Sequence, residues 1–439
     1  MRKFTETARE NIFWLMDALK GSPVKRHYTE IALLLNTKNE NTAKRNKQNL
    51  LALLNHAKLT TPFYNNCKYF NSLNDFPVIS KMMIRENFDS FTSSAFTKEQ
   101  HLTTVTSGST GTPFKVIQHA DKKNRNSADT LYFAERTGFQ IGNRLMYMKV
   151  WSANNKKATL VGIMQNIVPV DVITFNETET AALVKRMEND TSIFAFLGYS
   201  SALENICRYL DRCNHAKVKT TLSSAISMSE TLNDYTKQTI KKYFGVPVYS
   251  RYSNLENGIL AQQVPGSENK YLINTASYVV EIFKMNEDAP ALAGELGRIV
   301  VTDLYNYAMP IIRYDTGDMG ILSLHKNTAD NSYLEVVEGR RLDLIYATDG
   351  TLVSSYIVYK NMWQYTEILQ YQLVQYGAKD YLFKINMEGT FTKGNKLINE
   401  FKQYLGHDAN FTVEFVDEIP LLASGKRKKI ANTYHNTLK

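Results

Sequence analysis

The sequence predicts an α/β protein in which a large N-terminal domain of mixed sheets and helices precedes a small C-terminal α/β lobe. Between residues 100 and 340, short β-type runs alternate with helical stretches, as expected for sheets flanked by helices. After Gly339, the segment Leu344–Val353 has a strand–turn–strand pattern. We therefore place the two domains at residues 1–338 and 339–439.

Length and composition limit the class of protein. The chain has 439 residues, of which 43% are hydrophobic and 22% charged, enough for two to four domains of about 100–200 residues each. The three cysteines, Cys67, Cys207 and Cys213, give no disulfide framework. The N-terminus lacks the pattern of a signal peptide, and no apolar run of about 20 residues predicts a transmembrane segment. We expect a cytoplasmic protein.

The net charge is +9, which by itself allows three interpretations. A nucleic-acid-binding protein would usually cluster its basic residues with aromatic ones, whereas the only dense basic run is Lys426–Lys429. A lysine-rich composition spread over the surface is the second interpretation. A site for anionic small molecules is the third interpretation, and the motifs below favour it, so we expect no nucleic-acid partner.

The predicted elements begin with amphipathic helices over residues 1–60. Apolar residues recur there at helical spacing, namely Ile12, Leu15, Met16 and Leu19. We expect this helix to pack on the domain, and a position on a membrane surface is the alternative.

Further elements follow in order along the chain. Strands are predicted at residues 102–105 and 114–117, on either side of a glycine-rich turn, and at 246–249 and 299–302. Helices are predicted over residues 232–244 and from about 357 to 370.

The glycine-rich turn reads Thr106-Ser107-Gly108-Ser109-Thr110-Gly111-Thr112-Pro113. Its two glycines let the backbone approach a ligand closely, and its hydroxyl and N–H groups are donors that suit phosphate oxygens. The spacing of a Walker P-loop is missing, and a strand follows where that motif has a helix. The turn predicts a cap over a triphosphate, and an ordinary hairpin turn is the alternative.

Two other turns carry carboxylates. The segment Tyr252-Ser253-Asn254-Leu255-Glu256 follows a predicted strand. Its tyrosine can cover a flat base, and its carboxylate can bind Mg²⁺, which prefers oxygen ligands. Asp318 follows Gly317 and can accept hydrogen bonds from ribose hydroxyls. An exposed glutamate and an aspartate that caps its own turn are the alternatives.

Two basic residues complete the set. Arg340 follows Gly339 and can reach a ribose or a phosphate. Lys426 follows Ser424-Gly425 and can neutralise charge that develops in a cleft. Taken alone, a surface arginine and a basic tail are the alternatives.

The order of these five motifs along the chain decides between the interpretations, because each motif occurs once and all five follow the same order as in one known superfamily. The set resembles the adenylate-forming, acyl-CoA synthetase-like superfamily over about residues 60–430. It is most similar to the phenylacetate–CoA ligase family, in its branch associated with capsular polysaccharide biosynthesis. That closer similarity rests on Phe76–Lys81, Phe196–Leu203 and Met309–Tyr314.

The resemblance implies an ATP-dependent, AMP-forming ligase with Mg²⁺ as cofactor. In this family a carboxylate attacks the α-phosphorus of ATP, pyrophosphate leaves, and an acceptor, usually the thiol of CoA, then takes the acyl group. Such chemistry depends on positioning and charge stabilisation. The implied catalytic residues are Lys426 and Glu256, and Glu256 also places Mg²⁺. The small lobe is expected to rotate between the two half-reactions.

The resemblance also implies the binding residues. The glycine-rich turn holds the phosphates, Tyr252 lies along adenine opposite residues 224–227, and Asp318 and Arg340 hold the ribose. The full set of implied ATP contacts is Thr106, Ser107, Gly108, Ser109, Thr110, Gly111, Thr112, Ser224, Ala225, Ile226, Ser227, Tyr252, Ser253, Asn254, Asp318 and Arg340. Trp151 and Tyr199 are expected to line the acyl pocket, and for Trp151 a tryptophan packed in the core is the alternative.

Three segments depart from the family pattern. Ser224–Ser227 replaces a glycine-rich or acidic segment, and Asn254-Leu255 replaces small residues. Leu342 occupies a position that is commonly an acidic hinge residue, with Asp343 one residue later. The adenine contact and the hinge position therefore stay open.

Several alternatives remain for the function. The acceptor can be CoA, a carrier thiol supplied in trans, or an amine or hydroxyl that gives an amide or ester. Nucleotidyl transfer without an acyl acceptor is a related alternative. A non-catalytic nucleotide-binding scaffold is another, although the intact Glu256, Asp318 and Lys426 argue against it. The identity of the acid and the oligomeric state, including a dimer, stay open.

Overall fold

The protein is described here by a computed structural model. It describes residues 4–37, 39–67, 69–70, 72–106, 114–151, 162, 165–267, 270–292, 294–323, 333–339, 344–353, 356–362, 364–365, 367–387, 389–422 and 426–434. Within these ranges, no helix combines the length and the apolar character needed to cross a bilayer.

The helices are numbered α1 to α11 along the described chain. Their bounds are Phe4–Leu19, Pro23–Asn36, Glu40–Thr60, Lys81–Glu86, Phe88–Phe91, Ala120–Glu135, Glu177–Asn189, Ser200–Arg212, Asp234–Phe244, Tyr356–Met362 and Gly394–Leu405. Short 3-10 turns lie at Pro62–Tyr64, Leu73–Asp75 and Lys98–Gln100.

The first helix is present as predicted, but it buries the opposite face. Glu6 and Asp17 are buried, whereas the predicted packing residues are exposed, namely Ile12, Leu15, Met16 and Leu19. Asp17 accepts hydrogen bonds from the backbone N–H groups of Val24 (3.0 Å) and Lys25 (2.9 Å). Because the first N–H groups of α2 have no partner within the helix, capping them turns the charged face of α1 inward.

The strands are numbered β1 to β19. Those of the large domain are Leu102–Thr106, Phe114–Gln118, Arg144–Lys149, Ile167–Asp171, Ile193–Tyr199, Thr221–Met228, Val248–Asn254, Gly258–Gln263, Tyr271–Ile273, Tyr278–Phe283, Gly297–Asp303, Tyr314–Leu322 and Tyr333–Glu338. Those that follow are Ile345–Tyr346, Leu352–Val353, Ile368–Gln375, Asp380–Met387, Asn410–Phe415 and Ile430–Asn432.

A mixed sheet organises the large domain and confirms the predicted α/β class. Its described strands run β10-β11-β12-β13-β9-β8-β7-β6-β5-β3-β4. Strands β3 to β7 pair in parallel, and the other pairs are antiparallel. In such sheets, binding sites lie beyond the carboxyl ends of the parallel strands.

The strands β1 and β2 form a separate antiparallel pair on either side of the glycine-rich turn, as predicted. Thr106 pairs with Phe114 at the end of this ladder. The strands predicted at 246–249 and 299–302 correspond to β7 and β11, and the helix predicted over 232–244 corresponds to α9.

A smaller sheet, in the order β18-β17-β16-β19, organises the C-terminal lobe. The helix predicted from 357 to 370 is wrong in its second half, because α10 ends at Met362 and β16 begins at Ile368. Ile368, Tyr371 and Leu373 are buried against α11 and β17, and this packing selects a strand over a helix.

Candidate active site

Glu256 lies in the turn between β7 and β8, where a buried tyrosine holds its carboxylate. The hydroxyl of Tyr314 donates to Glu256 Oε1 at 3.0 Å. Burial, and then the charge of Glu256, raises the pKa of Tyr314 well above 10, so this phenol stays a donor at neutral pH. The Nζ of Lys81 lies 3.9 Å from the same oxygen. The carboxylate of Glu256 therefore contacts both the Tyr314 hydroxyl and the Lys81 ammonium group.

Strand β2, which follows the glycine-rich turn, contacts Tyr314 and the backbone of Glu256. The ring of Phe114, the first residue of β2, stacks on Tyr314 at 6.5 Å between centroids. Gln118, the last residue of β2, donates from Nε2 to the carbonyl of Glu256 at 3.1 Å. Both ends of β2 are thus attached to the Glu256 region, which brings one end of the glycine-rich turn close to it.

A β-bulge in β12 presents Asp318 to Tyr252. Val300 pairs with Asp315, and Arg298 pairs with Met319. Three residues of β12, 316–318, therefore lie opposite the single residue Ile299. The hydroxyl of Tyr252 donates to Asp318 Oδ2 at 2.9 Å and to Thr316 Oγ1 at 3.2 Å. Two signatures that are 66 residues apart thus meet in space.

Lys426, in the C-terminal lobe, lies at the carboxyl edge of the same sheet. Its Nζ donates to the carbonyl of Ser229 at 3.1 Å and lies 5.1 Å from the centre of the Tyr199 ring. Ser229 follows β6 and has a φ of 70°, a conformation that is costly for residues other than glycine.

Tyr199 belongs to an aromatic cluster at this edge, which we define as Tyr147, Trp151 and Tyr199. Trp151 donates from Nε1 to the carbonyl of Tyr147 at 3.0 Å, and the two rings meet edge to face at 5.5 Å. Tyr147 and Tyr199 pack on the buried Leu197, Ile226 and Met228. Burial, and then the nearby Glu230, raises the pKa of Tyr199 to about 12.

The segment 224–227, which was expected beside adenine, lies within β6. Ser224 is 1% exposed, and its hydroxyl bonds to Thr137 Oγ1 at 2.9 Å. Ala225 packs in the core beneath the helices. Contact of either side chain with a nucleotide would require this packing to open, and the adenine contact of the segment stays a prediction.

Part of the expected nucleotide site lies outside the described residues. This part comprises Ser107, Gly108, Ser109, Thr110, Gly111, Thr112 and Arg340, as well as the hinge candidates Leu342 and Asp343. Thr106 is the last residue of β1.

Comparison of the structure with solved proteins identifies the fold. A crystal structure of 2-hydroxyisobutyryl-CoA ligase, in the postadenylation state in complex with R3-HIB-AMP, matches with a TM-score of 0.70 and 16% identity, over 90% of this chain and 92% of that chain. The anthranilate CoA ligase AuaEII in complex with anthranoyl-AMP matches with a TM-score of 0.56 and 15% identity, over 76% of this chain and 66% of that chain. The chain has the adenylate-forming ligase fold.

Sequence comparison finds similarity to the protein CapK. The model of the CapK C-terminal domain matches residues 345–433. The protein CapK of Staphylococcus aureus is 24% identical over 447 residues, which cover 95% of this chain and 96% of CapK. The match of the C-terminal domain includes β14 to β19, the strands of the lobe that carries Lys426.

The adenylate-forming fold brings together residues that the sequence analysis did not assign to the site. Lys81 and Tyr314 flank Glu256, and Tyr147 joins Trp151 and Tyr199. Lys81 and Tyr314 belong to two segments that carried the family resemblance, Phe76–Lys81 and Met309–Tyr314, and this was the available signal. Ile79 and Tyr314 form a parallel bridge, which aligns the two segments.

The described residues fit a metal ion that is held mainly by its substrate. No group of three or more His, Cys, Asp or Glu side chains converges in the part of the chain that the structure describes. Mg²⁺ commonly takes one or two protein carboxylates and obtains its other ligands from phosphates and water. A single carboxylate held in place, such as Glu256, fits that mode of binding.

Proposed function

We propose that this protein is an ATP-dependent, AMP-forming ligase that activates a carboxylic acid as its acyl-adenylate and then transfers the acyl group to CoA or another acceptor. The two half-reactions balance as follows. A carboxylate oxygen forms a bond to the α-phosphorus and pyrophosphate leaves. The acceptor then forms a bond to the acyl carbon and AMP leaves. The similarity to CapK supports a role in surface polysaccharide biosynthesis.

The observation that carries this proposal is the convergence of Tyr252, Glu256 and Asp318 at one end of the large sheet. These three residues come from two chain segments that the fold joins by a direct hydrogen bond between Tyr252 and Asp318. In the proposed complex, Asp318 and Tyr252 bind the nucleoside, and Glu256 binds Mg²⁺ on the phosphates. The expected roles of residues 107–112 and Arg340 complete this site.

Lys426 is the proposed cation that stabilises charge during adenylation. Its ammonium group lies beside Tyr199, so a carboxylate bound against the aromatic cluster would lie near it. The similarity to solved structures supports this arrangement of the lobe. The TM-score is 0.70 for the 2-hydroxyisobutyryl-CoA ligase in its postadenylation state and 0.57 in its thioesterification state, each over 90% of this chain.

The domain boundary and the cellular compartment belong to the same proposal. The boundary at residues 338 and 339 coincides with the end of β13 at Glu338. All three cysteines are free thiols, which supports the reducing environment of the cytoplasm.

Pyrophosphate exchange tests the first half-reaction without knowledge of the acceptor. Purified protein is incubated with ATP, Mg²⁺, labelled pyrophosphate and a panel of aliphatic, aromatic and amino acids. We expect at least one acid to drive label into ATP, and we expect Lys426→Ala to slow this exchange about 100-fold or more, as for the loss of a group that stabilises developing charge.

Lys428→Ala is the matched control, because it removes one positive charge from the same segment at a residue outside the proposed site. It should retain the rate of the wild type. Exchange with no acid, from a protein that unfolds cooperatively, would contradict the proposal. Adding CoA to an active mixture then tests the acceptor, since a thioester product identifies CoA and unchanged adenylate points to another nucleophile.

A further inference from the structure

Arg251 differs from every other buried arginine in the described chain. Four arginines are buried, namely Arg125, Arg251, Arg298 and Arg313. Arg125 pairs with Glu30, Arg298 with Asp288 and Asp315, and Arg313 with Glu281. No described carboxylate lies within 4.0 Å of the Arg251 guanidinium group.

The environment of Arg251 leaves part of its hydrogen-bonding capacity unused. The residue is 5% exposed. Its Nε donates to Gln262 Oε1 at 2.8 Å, but Nη2 is buried without a partner among the described residues. Burial lowers the pKa of Arg251 to about 10, which still leaves it charged at neutral pH. A buried charge without a counter-ion is costly, and a ligand that supplied one would remove that cost.

The sheet register places Arg251 beside the aromatic cluster. Tyr199 pairs with Met228, and Met228 pairs with Arg251, in adjacent parallel strands. Paired residues project to the same face of a sheet, so these three form a row across β5, β6 and β7. Tyr147 pairs with Leu197, two residues before Tyr199 in β5, and therefore projects from the same face as the row. Arg251 thus borders the surface against which the acid is proposed to bind.

The length of the row limits the distance between the two acid groups of a ligand. Lys426 lies beside Tyr199 at one end of the row, and Arg251 occupies the other end, two strand spacings or about 10 Å away. An acid whose reacting carboxylate lies near Lys426 can therefore reach Arg251 with a second group only a few bonds away.

We infer that Arg251 is a specificity-determining residue that binds a second carboxylate, so that the substrate is a short dicarboxylic acid. The inference rests on the proposed function, and it adds the class of acid. The planar guanidinium group suits a carboxylate because it donates two parallel hydrogen bonds. Met228, in the middle of the row, would contact the carbon chain between the two acid groups.

The test compares each diacid with its own monoamide in the pyrophosphate exchange assay. Malonate, succinate, glutarate and isophthalate each have a monoamide that retains one carboxylate and replaces the other with a neutral group of similar size. For at least one pair, we expect kcat/KM to be about 10-fold or more higher for the diacid, because a site built to bind a group rejects an analogue that lacks it.

Arg251→Met should abolish this preference, and Arg251→Lys should retain part of it. The ratio between diacid and monoamide is the readout, since a purely structural role would lower both rates equally. A wild-type enzyme that uses monocarboxylic acids or monoamides as well as diacids would overturn the inference and leave the proposed function standing. Exchange with no acid of any kind would instead overturn the proposed function. The wild-type comparison decides the matter even if the variants fail to fold.

Discussion

Each carboxylate of the proposed nucleotide site is held by a buried tyrosine. Tyr252 donates to Asp318 and Tyr314 donates to Glu256. Burial raises the pKa of both phenols well above 10, and the nearby carboxylates raise it further. The two tyrosines therefore stay protonated, and they orient the carboxylates through hydrogen bonds to charged acceptors, which are stronger than neutral ones.

Tyr314→Phe removes one of these donors and keeps the ring that stacks on Phe114. Because Glu256 then loses a hydrogen bond worth about 1.5–3 kcal/mol, we expect its carboxylate to be less well oriented and pyrophosphate exchange to slow by about 10-fold or more. The Mg²⁺ concentration that gives half of the maximal exchange rate should rise, and a titration with Mg²⁺ measures it. Tyr69→Phe, at a residue that is 98% exposed, is the control. An unchanged Mg²⁺ dependence in Tyr314→Phe would show that this hydrogen bond has no role in metal binding.

Among individual residues, the sequence analysis selected Glu256, Asp318 and Lys426 as candidates, but it did not identify which side chains contact the two carboxylates. Glu256, Asp318 and Lys426 stand in short local patterns that can be recognised along the chain. Tyr314 is 58 residues from Glu256, and no local pattern reports such a pairing. Arg251 directly precedes Tyr252, but only the register of three strands places it beside the aromatic cluster.

The secondary elements position the site through close contacts between strands. Gly198 in β5 illustrates this, because a Cβ at this position would lie 2.7 Å from Met148 Cβ and 3.2 Å from the Met148 carbonyl oxygen in β3. The next residue is Tyr199, whose ring contacts Lys426. The glycine thus lets β5 approach β3 where the aromatic cluster forms.

Gly198→Ala should force these two strands apart. Overpacking of this kind costs about 1–3 kcal/mol, so we expect a lower urea midpoint of unfolding together with slower exchange. Gly394→Ala is the control, since its nearest neighbour would be Phe391 at 3.9 Å, an ordinary contact. Equal midpoints for Gly198→Ala and the wild type would contradict the close packing of β3 and β5.

Elements with strong local patterns were predictable, and those decided by packing were not. The pair β1 and β2 and the helix α9 follow their sequence patterns. The segment from Ile368 has apolar residues that also fit a helix, and it becomes a strand because β17 and β19 pair with it. Helix α1 has a clear apolar stripe, but the capping of α2 by Asp17 turns that stripe outward.

At the scale of the whole molecule, polar contacts join the lobe to the large domain. Lys429 Nζ lies 3.4 Å from Glu204 Oε2 in α8, and Arg208 donates from Nη1 to the carbonyl of Ile368 at 3.2 Å. Glu204 is buried, which by itself raises its pKa, but Lys429 and Arg208 outweigh burial and lower the pKa to about 2. Glu204 therefore stays a carboxylate and holds the lobe in the arrangement that places Lys426 beside Tyr199.

Lys429→Met should weaken this arrangement without removing a proposed site residue. We expect pyrophosphate exchange to slow several-fold, while transfer of the acyl group to the acceptor is unchanged or faster, because the lobe is released more easily. Lys428→Ala again serves as the control. If adenylation and acyl transfer slowed by the same factor, Lys429 would have no role in holding the lobe in this arrangement.

The same contact predicts a pH dependence. The pKa of Glu204 is lower in the folded protein than its ordinary value of 4.5, so its contribution to stability is present above about pH 4.5 and is lost as the pH falls towards 2. The difference in unfolding free energy between the wild type and Lys429→Met should therefore shrink over that interval. Urea unfolding at pH 7, 4.5 and 3.5 measures it, and a constant difference would contradict the assignment.

If the five motifs form one site, the protein converts ATP to AMP through an acyl-adenylate. This intermediate can be detected by mass spectrometry of a mixture of protein, ATP, Mg²⁺ and an acid that supports exchange. We predict a species with the mass of the acid plus AMP less water, formed together with pyrophosphate and about 100-fold more slowly with Lys426→Ala. Formation of ADP and phosphate, with no adenylate, would contradict it.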